Sequence, residues 1–190
     1  MILAFTGAGI SKASGIPTFD EMGDIRDKLD RSFAKKNPKE YQKIIDDFVE
    51  ICNSAEPNDA HYALAEYKIP VITMNVDGLH QKAGSKQVIG VHGNLPNIVL
   101  YGDPAPSYEY AYAWVDLLKP GDTFLIIGTS FYTNISSSLR DIAKSRGADV
   151  VIINDNAKEK VRIYLNNHKD KIESFTDFMK REEDWIKYYE

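Results

Sequence analysis

Four short runs of this chain are strongly apolar: residues 2–5, 70–74, 123–127 and 149–153. Near-continuous Val, Ile and Leu suit strands of a parallel sheet covered on both faces, whereas a strand with one wet face alternates. Residues 88–91 and 98–101 are predicted as two further strands. Helical spacing runs between them. Tyr41, Ile44, Ile45, Phe48 and Val49 recur on one side of a helix. Asn58, after Pro57, is placed to cap a helix over 60–67. Residues 136–146 predict a helix stopped by Gly147. The segment 173–189 is amphipathic, with Phe175, Phe178, Met179, Trp185, Ile186 and Tyr189 roughly on one side. The charged stretch 21–37 reads as a flexible loop or a short exposed helix. Strand–helix alternation predicts one α/β domain over 1–190, a Rossmann-like, doubly wound, mostly parallel sheet.

Composition narrows the classes. The 190 residues are 43% hydrophobic with a net charge of −5, so a general electrostatic attraction to nucleic acid or an anionic membrane is not expected. Cys52 is the only cysteine. It allows no internal disulfide and no cysteine-based metal cluster, and no metal is expected. No run approaches ~20 apolar residues and no basic region precedes residues 1–5, so neither a membrane span nor a signal peptide is expected. The expected compartment is the cytoplasm.

The candidate chemistry follows the strands, where ligands of open α/β sheets bind. After the first come Thr6-Gly7-Ala8-Gly9-Ile10-Ser11 and then Ser14-Gly15-Ile16-Pro17. Such glycines let the chain turn sharply and let a phosphate approach the amides, with a helix N-terminus expected beyond. Lys12 breaks the dinucleotide fingerprint, and no P-loop ending is present. After the second come Thr73-Met74-Asn75-Val76-Asp77, in which Asp77 could serve as an Asx cap. His92, at a strand end and followed by Gly93, could be a general base or a structural histidine. His61, His80, His168 and Cys52 are assigned to packing, capping or surface. Gly128-Thr129-Ser130 and Asn154 follow the last two strands.

Jointly these motifs resemble the sirtuin (Sir2) family. Residues 7–17 with Phe19 are similar to GAGxSxxSGIPxF, residues 73–80 to TQNxDxLH, and Val91-His92-Gly93 to the catalytic HG. Residues 98–103 resemble VVxFGE, 128–130 match GTS, and Ile153-Asn154 match the later IN. Even Pro57-Asn58, His61 and Leu64-Ala65 are similar to PNxxHxxLA. The resemblance implies a protein-lysine deacylase that uses NAD as co-substrate and transfers the acyl group to ADP-ribose. It implies that Gly7, Ala8, Gly9 and Ile10, with Ser14, Pro17, Thr18 and Phe19, hold the pyrophosphate and wall off the nicotinamide. Asn75 and Asp77 would position the nicotinamide, its ribose and a water, beside Met74. His92 would take a proton from a ribose hydroxyl. Thr129, Ser130, Asn154 and Asp155, with Gly128, would bind the adenosine half. Val99, Tyr101, Gly102 and Asp103 would line the acyl channel and pair with an acylated peptide as an added strand.

Departures from the family pattern carry expectations of their own. Asp20 stands where the family has Arg, which should weaken NAD binding or reshape the loop. Met74 replaces a Gln and removes a ribose hydrogen bond. The four-cysteine zinc module is absent, because only ten positions separate His92 from Gly102. The small domain is thus expected as a remnant of about 19–55 and 93–104. A sirtuin-like NAD hydrolase or ADP-ribosyl transferase, and a non-catalytic NAD or ADP-ribose sensor, remain alternatives. A dehydrogenase fails on the missing fingerprint.

Overall fold

The computed structural model describes residues 1–189, with Phe19 and residues 183–189 by their backbone only. The chain runs β1 (Ile2–Thr6), α1 (Ile25–Lys28), α2 (Arg31–Lys36), α3 (Pro38–Ser54), α4 (Asp59–Glu66), β2 (Val71–Thr73), α5 (Leu79–Lys82) and β3 (Val88–Gly90). It continues through β4 (Gly93–Asn94), β5 (Asn97–Ile98), α6 (Ser107–Asp116), β6 (Thr123–Ile127), α7 (Asn134–Ser145), β7 (Asp149–Ile153), α8 (Ala157–Asn167) and α9 (Phe175–Tyr189).

Five parallel strands form one sheet in the order β3-β2-β1-β6-β7. The runs of β1, β2 and β6 have the expected cause, since these strands are buried throughout; β7 departs from it, because it is an edge strand with Asp149 and Ile152 exposed. Alternate residues serve opposite faces. Ile2 and Ala4 of β1 pack with Ala60, Leu64, Val161 and Leu165 of α4 and α8. Leu3 and Phe5 pack with Val115, Leu139 and Phe178 of α6, α7 and α9. Helices therefore cover both faces, and the sheet is doubly wound. The order reverses between β1 and β6, so their carboxyl ends form the switch point where such folds bind ligands.

Asn58 caps α4 as expected: its Oδ1 accepts from Ala60 N at 3.0 Å. Residues 21–37 differ from expectation. They form α1 and α2, with Ile25 and Ala34 buried. The expected strand 98–101 is also shorter. It contributes Asn97–Ile98 to a two-stranded hairpin with β4 and one parallel bridge, Asp30 to Tyr101. Phe175, Phe178 and Met179 of α9 pack on the core. Trp185, Ile186 and Tyr189, placed on the same stripe by the sequence, lie outside the described side chains. Among the described residues, no helix is long and apolar enough to cross a membrane.

Candidate active site

A cavity of about 660 Å³ opens at the carboxyl ends of the strands, within the size range of sites for small ligands. Its walls include Ala8, Gly9 and Thr18, then Met74 and Asn75, then His92. Gly128, Thr129, Ser130 and Asn154 line it from the loops after β6 and β7, and Val99, Tyr101, Gly102 and Asp103 from the segment after β5. Gly7, Ile10, Ser14, Pro17, Asp77 and Asp155 are not among the lining residues. The Phe19 side chain lies outside the described residues.

The glycines have a different task from the one expected. Gly7 N donates to Ile127 O at 2.9 Å and Gly9 N to Gly128 O at 2.8 Å. These amides join two loops and are not free for a phosphate. A Cβ on Gly9 would stand 2.7 Å from Gly128 Cα, and one on Gly128 would stand 2.3 Å from Ile10 N. Gly128 also has φ +64°, a backbone conformation that a side chain disfavours. Main chain meets main chain here, and this brings the ends of β1 and β6 together. Nor does an α-helix begin behind this loop. Ala8–Ile10 and Lys12–Ser14 are 3-10 turns, and the next α-helix starts only at Ile25. The expected helix-terminal dipole is therefore missing.

Ser11, one residue beyond the first turn, organises the floor. Its hydroxyl donates to Asp77 Oδ2 at 2.7 Å and accepts from Asn75 Nδ2 at 3.1 Å. His61 Nε2 lies 3.5 Å from the same oxygen, and His61 Nδ1 accepts from Asn58 N at 3.3 Å. Asp77 Oδ1 accepts from Leu79 N at 3.0 Å, so Asp77 is the Asx cap of α5 and the anchor of Ser11 at once. It acts from behind Asn75 rather than at the cavity wall.

Behind this layer His80 Nε2 faces Thr6 Oγ1 at 2.9 Å, and Thr6 Oγ1 donates to Thr73 Oγ1 at 2.7 Å. Burial, with the neighbouring His61 adding to it, pushes His80 down to about 3. Burial likewise takes His61 down to about 4, against the opposing pull of Asp77. Both rings are neutral near pH 7.

His92 lines the cavity with its Nε2 2.9 Å from the Tyr108 hydroxyl. Burial lowers its pKa, while a hydrogen bond to the Met74 carbonyl opposes that shift. Asn154 clasps the Thr129 main chain, accepting from Thr129 N and donating to Thr129 O, each at 3.1 Å. Its amide is thus engaged in joining two loops, where the sequence suggested adenosine contacts. Asp103 is likewise committed. Arg31 Nε donates to its Oδ1 at 2.7 Å and Arg31 Nη2 to its Oδ2 at 2.5 Å. The Arg31 hydrogen bonds, chiefly, hold Asp103 down to about 2. Tyr101 N donates to Leu29 O and Arg31 N donates to Tyr101 O, both at 3.0 Å. The main chain at Tyr101 is therefore not an open edge for an added strand.

Several lining residues escaped the sequence reading. Arg26 is paired with Asp20 at 3.0 Å and lies over the Tyr132 ring at 4.0 Å, while Lys12 pairs with Glu21 at 2.6 Å. Lys12, Arg26 and Asp20 all line the cavity, so the anion at position 20 does not stand alone. The only advance signal was Lys12 itself, the cation interrupting the glycine loop. Ile44, Ile45 and Phe48, expected only at helical spacing, also face the cavity from α3. Met74 accepts a contact from Thr133 Oγ1 at 3.1 Å through its sulfur. Among the described residues, no group of three or more His, Cys, Asp or Glu side chains is placed to hold a metal ion.

Comparison with known proteins adds relatives to this geometry. The Sir2 family model matches residues 7–96. An NAD-dependent protein deacetylase of Pyrobaculum aerophilum is 34% identical over 80% of this chain and 78% of its own length. A mutant Sir2 homologue in complex with ADP ribose superposes with a TM-score of 0.82 at 25% identity, covering 89% of this chain and 92% of the other. A Sir2 bound to an inhibitor, 2'-O-acetyl-ADP-ribose and a deacetylated p53 peptide has a TM-score of 0.77 at 25% identity, with 89% and 94% covered.

Proposed function

The chain belongs to the Sir2 family, and from that premise we propose that it is an NAD-dependent protein-lysine deacylase. It transfers the acyl group of a lysine to ADP-ribose and releases nicotinamide. One observation carries the reading: His92, Asn75, the loops after β1, β6 and β7, and residues 99–103 all open on one cavity. A dinucleotide and an acyl chain need to meet in such a space. Lys12 and Arg26 suit an anionic diphosphate at the same wall.

In this account Ala8, Gly9, Thr18, Met74, Gly128, Thr129 and Ser130 form walls for NAD. Gly7, Ile10, Ser14, Pro17, Asn154 and Asp155 shape or flank the loops that carry them. Asn75, held by Ser11 and Asp77, orients the nicotinamide ribose while the acyl oxygen displaces nicotinamide. His92 then receives a ribose hydroxyl proton. Val99, Tyr101, Gly102 and Asp103 border the acyl-lysine, and residues 19–55 and 93–104 act as a reduced small domain. The site of action is the cytoplasm.

Nicotinamide exchange, which reports the first step, tests the assignment. His92→Ala should keep exchange and lose deacylation, by about 10²–10⁴-fold. Asn75→Ala should lose both. Wild-type activity in His92→Ala would remove His92 from the chemistry. A second reading, NAD hydrolysis or ADP-ribosyl transfer, draws support from the paired main chain of Tyr101, which leaves less edge for a peptide. It requires NAD consumption at full rate without peptide.

A further inference from the structure

His92 and Tyr108 are 16 positions apart, yet their hydrogen bond occupies the ring nitrogen that a base needs. A neutral imidazole carries one N–H and one lone-pair nitrogen. In the tautomer with the proton on Nδ1, Nε2 is the lone-pair nitrogen and the Tyr108 hydroxyl donates to it. In that tautomer any proton reaching His92 must arrive at Nε2, the atom 2.9 Å from the Tyr108 oxygen.

Tyr108 is built to stay there. It sits in the first turn of α6, its amide donates to Ala105 O at 3.0 Å, and its ring packs partly buried against the main core. Tyr108 and His92 line the same cavity. A phenolic oxygen can accept one proton while donating another. Burial and the nearby Tyr112 and Tyr101 raise its pKa, so the hydroxyl keeps its proton for donation.

We propose that Tyr108 is a catalytic residue of the acyl-transfer step, passing the ribose hydroxyl proton to His92 in a two-proton relay. This rests on the deacylase reading above. As the ribose oxygen bonds to the imidate carbon, the C=N π pair of that carbon moves onto the lysine nitrogen and the ribose hydroxyl proton moves to the Tyr108 oxygen. The Tyr108 proton moves to His92 Nε2. Tyr108 ends neutral, and the imidazole ends as imidazolium.

Tyr108→Phe, studied beside the wild type, tests the relay by two readouts. The relay predicts deacylation slowed by about 100-fold or more, with nicotinamide exchange and KM for NAD within about twofold. Retained deacylation would overturn it, and so would an equal loss of exchange, which would mark Tyr108 as structural. The second readout needs no turnover. Ring ¹⁵N signals of His92 should show the Nδ1–H tautomer in the wild type and a shifted Nε2 in Tyr108→Phe. An Nε2–H tautomer, or an unmoved Nε2 signal, overturns the relay whatever the substrate. If the wild type instead hydrolyses NAD without forming an acyl product, the deacylase reading fails, and these ring signals still decide whether Tyr108 serves His92.

Discussion

The sheet and the region formed by residues 19–55 with 93–104 are built on different principles. In the sheet, β1 and β6 are buried throughout, and apolar side chains from five flanking helices close over both faces. The second region buries Ile25, Ala34, Ile45, Cys52, Ala55 and Leu100, and its cluster around Cys52 and Ala55 borrows Ile16 and Leu79 from outside it. Ion pairs add to this: Arg31–Asp103, Arg26–Asp20 and Lys28 with Asp24 and Glu40. Such solvent-screened ion pairs contribute little each. The cavity lies where the two meet. One wall is therefore rigid and the other is open to adjustment, an arrangement suited to a fixed dinucleotide and a variable acyl chain.

The sharpest break of this contrast is Gly128→Ala. The added Cβ meets the main chain of residues 9 and 10 at a positive φ. The loss should exceed about 3 kcal/mol, seen as a lower denaturation midpoint. Wild-type stability would mean that the two loops can separate, and the rigid wall would be a misreading.

A second effect comes from pH. His61 and His80 have folded pKa values of about 4 and about 3, below the ordinary 6.5. The unfolded chain thus binds more protons as pH falls below 6.5, and stability declines from there toward the folded values. Urea midpoints between pH 7 and 4 should fall with a proton uptake approaching two. His80→Gln should flatten the curve by about one proton. A flat wild-type profile would show that neither ring is buried neutral.

Arg31→Ala should act on the other wall. It removes a solvent-screened pair, so stability should fall little. KM for an acylated peptide should rise several-fold, with affinity for NAD unchanged. Equal effects on both ligands would erase the distinction between the walls. The smallest change is expected for Lys12→Met and Arg26→Met. Each should weaken ADP-ribose binding by about fivefold, the scale of ~1 kcal/mol for one screened charge, and less at high salt in calorimetry. Salt-independent loss would argue for packing instead of charge.

The same contrast explains what was legible in advance. β1, β2 and β6 were readable because burial on two faces writes an unbroken apolar run, whereas β7 carries such a run although it is an edge strand with Asp149 and Ile152 exposed. α3 was readable as a helix, but not as a cavity wall, because Ile44 and Phe48 look the same facing core or ligand. α8 was missed because it buries only Ala157, Val161 and Leu165, while Ile163 lies exposed between them. His92, Asn75 and Ser11 were visible as motifs. The use of the Gly7 and Gly9 amides was not, since it depends on main chain more than a hundred positions away. Tyr108 and Arg31 belong to pairings that only the folded chain makes.

The fate of NAD is the most direct test of the deacylase reading. Purified protein with NAD, with and without an acetyl-lysine peptide, should be followed by mass spectrometry. Nicotinamide, O-acetyl-ADP-ribose and free-lysine peptide should form together and only when the peptide is present. Free ADP-ribose at the same rate without peptide, or unchanged NAD in both mixtures, would contradict it.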